Sequence, residues 1–225
     1  MVRSIKNFYG WLIVDKGGFV ILKEILTLIL GILLTLFGAF GSLSGPIFSY
    51  SNFQGEKIEF PLSMPKSIVV DSHGHIYCGL NFYSRIQVYN RNGKFLKGWP
   101  VNALGGDFRI FIDNKDRLQV ITNSGRYRYI YNFDGKMLKS DPVNIDGYTF
   151  FNEDPIRYRC KDKEGNLFEI KQALFPGIYK TSLTGEKVAV ISMPISMWFF
   201  TFPVSLLIFG IGMSLNVYIL FFKKS

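Results

Sequence analysis

The stretch Pro65–Val101, PKSIVVDSHGHIYCGLNFYSRIQVYNRNGKFLKGWPV, is rewritten twice further along the chain. Asp71, Gly74 and Ile76 return 42 residues later as Asp113, Asp116 and Leu118. Val88–Lys97 (VYNRNGKFLK) returns at the same offset as Ile130–Lys139 (IYNFDGKMLK). A looser third copy keeps Asp162, Gly165 and Leu167, then Gly185 and Lys187, at an offset of 49 to 50, which leaves room for a loop insertion. Within a copy, short apolar runs are punctuated by turns. Asp71, Asp113 and Asp162 open the first set, and Asn90–Gly93, Asn132–Gly135 and Ser182–Gly185 form the second. Asp and Asn cap such turns with their side chains, and Gly accepts positive φ. Alternation in Ile86-Gln-Val-Tyr sends Ile86 and Val88 to one face of a strand.

A repeat of about 40–45 residues built of four short strands is the pattern of propeller blades. The units run 65–101, 107–143 and 155–192, and the frame predicts at least ten strands and no helix longer than two turns between Gly55 and Ser192. A hairpin of Ile47–Ser51 and Lys57–Pro61 precedes them, and Gly55–Phe60 (GEKIEF) resembles Gly185–Val190 (GEKVAV), so a half-blade is expected there. Propellers use 4–8 blades. Three and a half leave open edges, which either the 47–61 hairpin closes against the third unit or a homodimer closes between two copies.

Two uncharged runs flank the repeats, Ile25–Gly55 and Val188–Phe222. A helix needs about 20 apolar residues to cross a bilayer, so each run supplies a span: 20–43 and 194–222, with 44–193 as the β domain between them. The leader before the first run carries Asp15 and Glu24, unlike a signal peptide, and the span reads as an uncleaved anchor. Arg3, Lys6, Lys16 and Lys23 precede the first span, and Lys223 and Lys224 follow the second. Basic flanks stay cytoplasmic. Both termini are therefore expected inside, with the β domain outside the plasma membrane. Residues 1–19 mix basic and aromatic side chains and suit the headgroup layer, and 223–225 form a cytoplasmic tail. Gly31 and Gly38 share a helix face that admits a close neighbour, with Gly210, Gly212 and Ser214 on the second span as the expected partner. Gly45-Pro46 is expected to end the first helix, and Pro203 to kink the second.

The first unit resembles the NHL repeat, a propeller-blade family. The matching residues are Pro65, Ile68–Asp71, Gly74, Ile76-Tyr77, Arg85–Tyr89 and Asn92–Phe95. The resemblance implies a β-propeller of a family that mostly binds proteins, RNA or ligands, with a few lyase- and lactonase-like relatives that rely on metal sites.

Chemistry is sparse. The two histidines, His73 and His75, form Asp-x-His-x-His with Asp71, but they occupy a turn where the second unit has Lys115 and Arg117 and the third Glu164 and Asn166. A metal site needs at least three ligands in fixed geometry, so no metal and no cofactor is assigned, and no catalytic residue. Lys66, Arg109, Arg126, Arg128, Arg157 and Arg159 are the candidate ligand-binding residues. First strands line a propeller's channel, and clustered arginines suit phosphate or carboxylate. Cys78 and Cys160 are a candidate disulfide in an exported domain. Aromatic residues make up 16% of the chain and interleave with arginine at Arg126–Tyr131, yet an exported domain rarely meets nucleic acid, so none is expected as partner.

The fold class is thus a membrane protein with two transmembrane helices flanking an all-β, propeller-like domain of about three four-stranded units. The leading expectation is a binding module without catalytic activity, anchored in the lipid bilayer and recognising a partner protein or an anionic envelope component. Its rivals are an accessory subunit of a larger membrane complex such as a transporter, and an envelope hydrolase or lyase.

Overall fold

The structure, a computed structural model, describes residues 16–50, 55–104, 106–144, 158–172 and 175–222. Among the described residues, twelve strands form three four-stranded antiparallel sheets. The first holds β1 Pro65–Val70, β2 Ile76–Leu80, β3 Arg85–Tyr89 and β4 Phe95–Pro100. The second holds β5 Phe108–Ile112, β6 Leu118–Thr122, β7 Tyr127–Tyr131 and β8 Met137–Pro142. The third holds β9 Arg159–Lys161, β10 Leu167–Lys171, β11 Gly177–Thr181 and β12 Lys187–Ser192. The repeat sets the register. Tyr77 pairs with Val88 and, 42 residues on, Gln119 pairs with Ile130. The irregularity at Val88/Tyr89 recurs at Ile130/Tyr131. No α-helix occurs among the described residues between Gly55 and Ser192.

The first sheet is covered on both faces. Tyr77, Ile86, Val88 and Trp99 pack against Phe108, Ile110, Leu118, Val120, Tyr129 and Tyr131 of the second sheet. Ile68, Ile76, Cys78, Leu80 and Tyr89 pack against Phe168, Ile170, Ile178 and Ile191 of the third. Every residue of β2 and of β3 is buried as a result, the run expected of a strand enclosed from both sides.

The half-blade does not form among the described residues; 51–54 of the expected hairpin lie outside them. Residues up to Tyr50 are helical, and 55–64 make no strand. Instead this segment is bolted to the first sheet. Gln87, fully buried, accepts the Phe60 amide at 2.5 Å and donates to the Phe60 carbonyl at 3.1 Å. Arg85 donates to the Gly55 and Ile58 carbonyls at 2.6 and 3.2 Å and stacks over the Phe60 ring. Its burial pulls its pKa down to about 10 despite nearby Tyr89 and Glu56. Phe60 and Leu62 then enter the core between the first and third sheets, so the third sheet needs no borrowed strands.

Helix α1, Lys16–Tyr50, also runs through Pro46 instead of stopping there. One missing amide donor is tolerated because the turn beyond it is held by tertiary contacts. Phe48 meets Phe60 edge-on, and the Ser49 and Ser84 hydroxyls lie 2.6 Å apart. The second apolar run is divided into α2, Ile195–Trp198, and α3, Phe202–Val217, followed by a π-helical turn at Tyr218–Phe222. Pro203 therefore lies in a first turn, where no amide hydrogen is needed, and not at an interior kink.

The chain forms two compact units, one of helix residues up to Phe40 with Leu206 onward, the other Gly41–Ser205. In the first, α1 and α3 meet through small residues. A Cβ on Gly31 would collide with Asn216, one on Gly212 would lie 2.5 Å from the Thr35 nitrogen, and Asn216 donates to the Thr35 hydroxyl at 3.2 Å. In the second, Phe82 packs on Phe202, and Ser63 accepts the Phe202 amide at 3.0 Å. Residues 23–49 and 202–221 are long and apolar enough to cross a membrane, by length and composition.

Gly93, Gly135 and Gly185 have φ of 77°, 76° and 85°. A Cβ on Gly93 would strike the Val190 carbonyl of the third sheet, whereas one on Gly185 meets nothing within 4 Å. Gly185→Ala should cost about 1–2 kcal/mol, the left-handed penalty alone. Gly93→Ala should cost a further 1–3 kcal/mol from overpacking between the sheets. Equal losses in chemical denaturation would remove the close approach at Gly93.

Candidate active site

The three first turns share one lock. Asp71 Oδ1 accepts the amides of His73 and His75 at 2.9 and 2.8 Å, and Oδ2 accepts the His75 ring Nδ1 at 2.8 Å and the Tyr77 hydroxyl at 3.2 Å. Asp113 accepts the amides of Lys115 and Arg117 and the Arg117 guanidinium. Asp162 accepts the amide and side-chain nitrogen of Asn166, each at 2.8 Å. In every unit the residue four positions after the Asp closes the turn with a side-chain donor, and His75 fills that post in the first. Asp116 takes the place of Gly74 and Gly165 with φ 54°. Its carboxylate crosses to the first sheet, accepting the Ser72 amide at 3.0 Å and the Ser72 hydroxyl. Those two bonds hold its pKa below the usual carboxylate range, helped by Lys163 and His73.

Oxygen or nitrogen atoms of Asp71, His73 and His75 lie within 4.8 Å of one another. The set does not suit a metal ion, because the Asp71 oxygens already accept four donors and one of these is His75 itself. A carboxylate has about four lone-pair positions to give.

Beside these turns lies a polar groove of about 160 Å³ lined by Asp71, Ser72, His73 and Arg91 of the first sheet and Asp162, Lys163, Glu164 and Lys180 of the third. His73 stands at its rim with most of its side chain exposed. The Ser72 hydroxyl gives its hydrogen to Asp116, so toward His73 Nδ1, 3.3 Å away, it offers a lone pair. In the neutral ring that contact favours the tautomer with its proton on Nδ1 and its lone pair on Nε2. Ser72 and Asp116 both face Nδ1, which is not the geometry of a nucleophile–base–acid triad.

The five basic candidates among the described residues do not gather. Lys66 Nζ is paired with Asp107 at 2.6 Å, and Arg128 with Asp141 at 3.1 Å. Arg126 has φ 52° in a turn and so does not share a strand face with Arg128. Arg109 is buried, Arg159 is exposed on β9, and Arg157 lies outside the described residues. Among the described candidates, Arg109 and Arg128 alone share a face, in the cross-strand row Arg109–Ile121–Arg128 of the second sheet. The candidate disulfide is not formed: Cys78 and Cys160 are free thiols. They serve as small apolar groups in the core between the first and third sheets, and burial pushes both thiols up to about 12.

No family model matches the chain, and no curated protein is significantly similar to it. Solved structures are similar in fold. A virginiamycin B lyase from Staphylococcus aureus is 13% identical with a TM-score of 0.32, covering 56% of this chain and 40% of that one. A streptogramin B lyase is 12% identical with a TM-score of 0.35, covering 59% and 42%. A protein of unknown function from Bacteroides caccae is 16% identical with a TM-score of 0.31, covering 56% and 45%. The chain thus spans less than half the length of these structures. The β unit is propeller-like. Two of these structures are lyases by name, so the expectation of a module without catalytic activity finds no support in the comparisons.

Two outcomes test the turn locks. His75→Ala should cost about 1–3 kcal/mol by stranding a buried carboxylate oxygen, while His75→Asn, the third unit's solution, should recover most of it in thermal unfolding. For Asp113, burial alone would raise the carboxyl, but Arg117 and the two amides outweigh it and hold it at about 2. The unfolded value is about 3.9. A depressed folded pKa gives stability that is present above the unfolded value and is lost as pH falls toward 2. Asp113→Asn should therefore flatten stability measured between pH 5 and pH 2, and an unchanged slope would remove the lock.

Proposed function

We propose that this chain is a bilayer-anchored envelope enzyme of the lyase class, working at the groove between the first turns of the first and third sheets. The observation that carries the reading is the place of His73 at the rim of the groove: its Nδ1 lies 3.3 Å from the Ser72 hydroxyl and 3.9 Å from Asp116, and the groove also holds Arg91 and Lys180. In this reading the spans 23–49 and 202–221 cross the plasma membrane, both termini are cytoplasmic, and NHL-type blades carry the site outside.

The geometry suits elimination better than hydrolysis. His73 Nε2 takes a proton from carbon next to a carbonyl. The electron pair left on carbon forms a new double bond as the neighbouring C–O or C–N bond breaks, and the leaving group departs with that bond's pair. Arg91 and Lys180 stabilise the negative charge on the carbonyl oxygen and the leaving group. No oxidant or water is consumed. Ser72 is not activated as a nucleophile, since its proton is already committed to Asp116.

The test compares the full chain with His73→Gln on an extract of polar envelope metabolites, followed by mass spectrometry. Elimination yields fragments whose masses sum to that of the substrate, with a new conjugated absorbance, whereas hydrolysis adds one water. Products made by the wild type should fall about 100-fold in His73→Gln, the usual worth of a positioned base, and persist in His75→Asn. No wild-type-dependent product, or undiminished activity of His73→Gln, overturns the reading.

A further inference from the structure

We propose that the end of the β unit carrying the helix termini holds a specific site for one zwitterionic phospholipid drawn from the bilayer. Two cavities meet there on either side of Met64. One, of about 280 Å³, is mainly apolar and is walled by Leu62, Pro176 and Pro203. The other, of about 380 Å³, is walled by Pro46, Ser49 and Phe82 and contains Lys66, Asp107 and Asn81. Met64 lines both.

Three observations select a lipid. First, Pro46, Ser49 and Pro203 belong to the ends of the segments apolar enough to span a membrane. The cavities therefore open at headgroup depth, a step that rests on the anchoring part of the proposed function. Second, the charges are paired as a zwitterion requires. Lys66 Nζ reaches the two Asp107 oxygens at 2.6 and 2.8 Å, and Asn81 Nδ2 reaches Oδ1 at 3.1 Å. Both members of the ion pair keep about a quarter of their side-chain surface exposed. An ammonium has three donors, so Lys66 retains one for a phosphate while Asp107 faces the lipid's own ammonium. An anionic headgroup would leave Asp107 opposed to it. Third, Met64 has φ 50° and, 41% exposed, stands between the cavities. A non-glycine residue held there is strained, and such strain collects at ligand clamps. The apolar cavity takes an acyl chain, and the charged one takes the head.

The test is native mass spectrometry of the full chain in mild detergent, titrated with phosphatidylethanolamine and, separately, phosphatidylglycerol. One phosphatidylethanolamine should bind per chain, at least tenfold more tightly than phosphatidylglycerol, a factor of about 1.4 kcal/mol. Lys66→Gln should abolish the headgroup preference. Gln172→Trp, an exposed position on the wall of the apolar cavity, should weaken binding of both lipids about tenfold, with thermal unfolding confirming that each variant folds. Graded, multiple adducts indifferent to headgroup and to both substitutions would mean annular lipid only and would overturn the site. Resistance of the chain to alkaline extraction from membranes checks the anchoring separately. Loss of the single adduct in a chain that resists extraction overturns this inference and leaves the anchoring intact.

Discussion

Burial of the first sheet from both sides is the constraint on which the rest depends. A four-stranded sheet has two faces, and a short one cannot bury either alone. Here one face is closed by the second sheet and the other by the third. The sheets interlock at their turns, where Gly93 meets the Val190 carbonyl and Gly135 meets the Trp99 ring. Where the third sheet stops, Phe60 and Leu62 continue the core, fixed by the two bonds between Gln87 and the Phe60 backbone. Gln87 and Arg85 are buried polar groups whose cost is met by carbonyls and amides of a segment that has no ladder of its own.

The same repetition that builds the core builds the site. Three Asp turns carry three different closing donors, His75, Arg117 and Asn166, so that the end of the β unit is held by charge-assisted bonds and not by apolar contact. Once Asp71 is saturated by its own turn, His73 is the histidine left to face the groove. The two ends of the unit have become chemically unlike. One presents turns, a histidine and mixed charge. The other presents apolar cavities, one ion pair and the ends of two long apolar helices.

Electrostatic pairing also explains why the basic candidates did not assemble. Lys66 and Arg128 each found an Asp within their own or the next sheet, Asp107 and Asp141. Neither partner is visible as such in a list of arginines, because pairing depends on which strand lies alongside. Gln87 escaped notice for a similar reason. Glutamine in an alternating strand reads as the solvent side, and only the presence of a third sheet makes that side interior.

What the sequence by itself determined was local and periodic: the 42-residue frame, the register it repeats, the Asp and Gly turns with their positive φ, and two apolar runs of spanning length. These follow from backbone preferences and side-chain alternation, which act over a few residues. The sheet order, with the first sheet in the middle, was decided only by the tertiary structure. So were the passage of α1 through Pro46, the docking of 55–64 beside the first sheet, the free cysteines, and the exposure of His73 at the groove while His75 is bonded to Asp71. Each turns on which surface a residue meets from a distant part of the chain, and the energy of that meeting outweighs a single proline or a lost ladder bond.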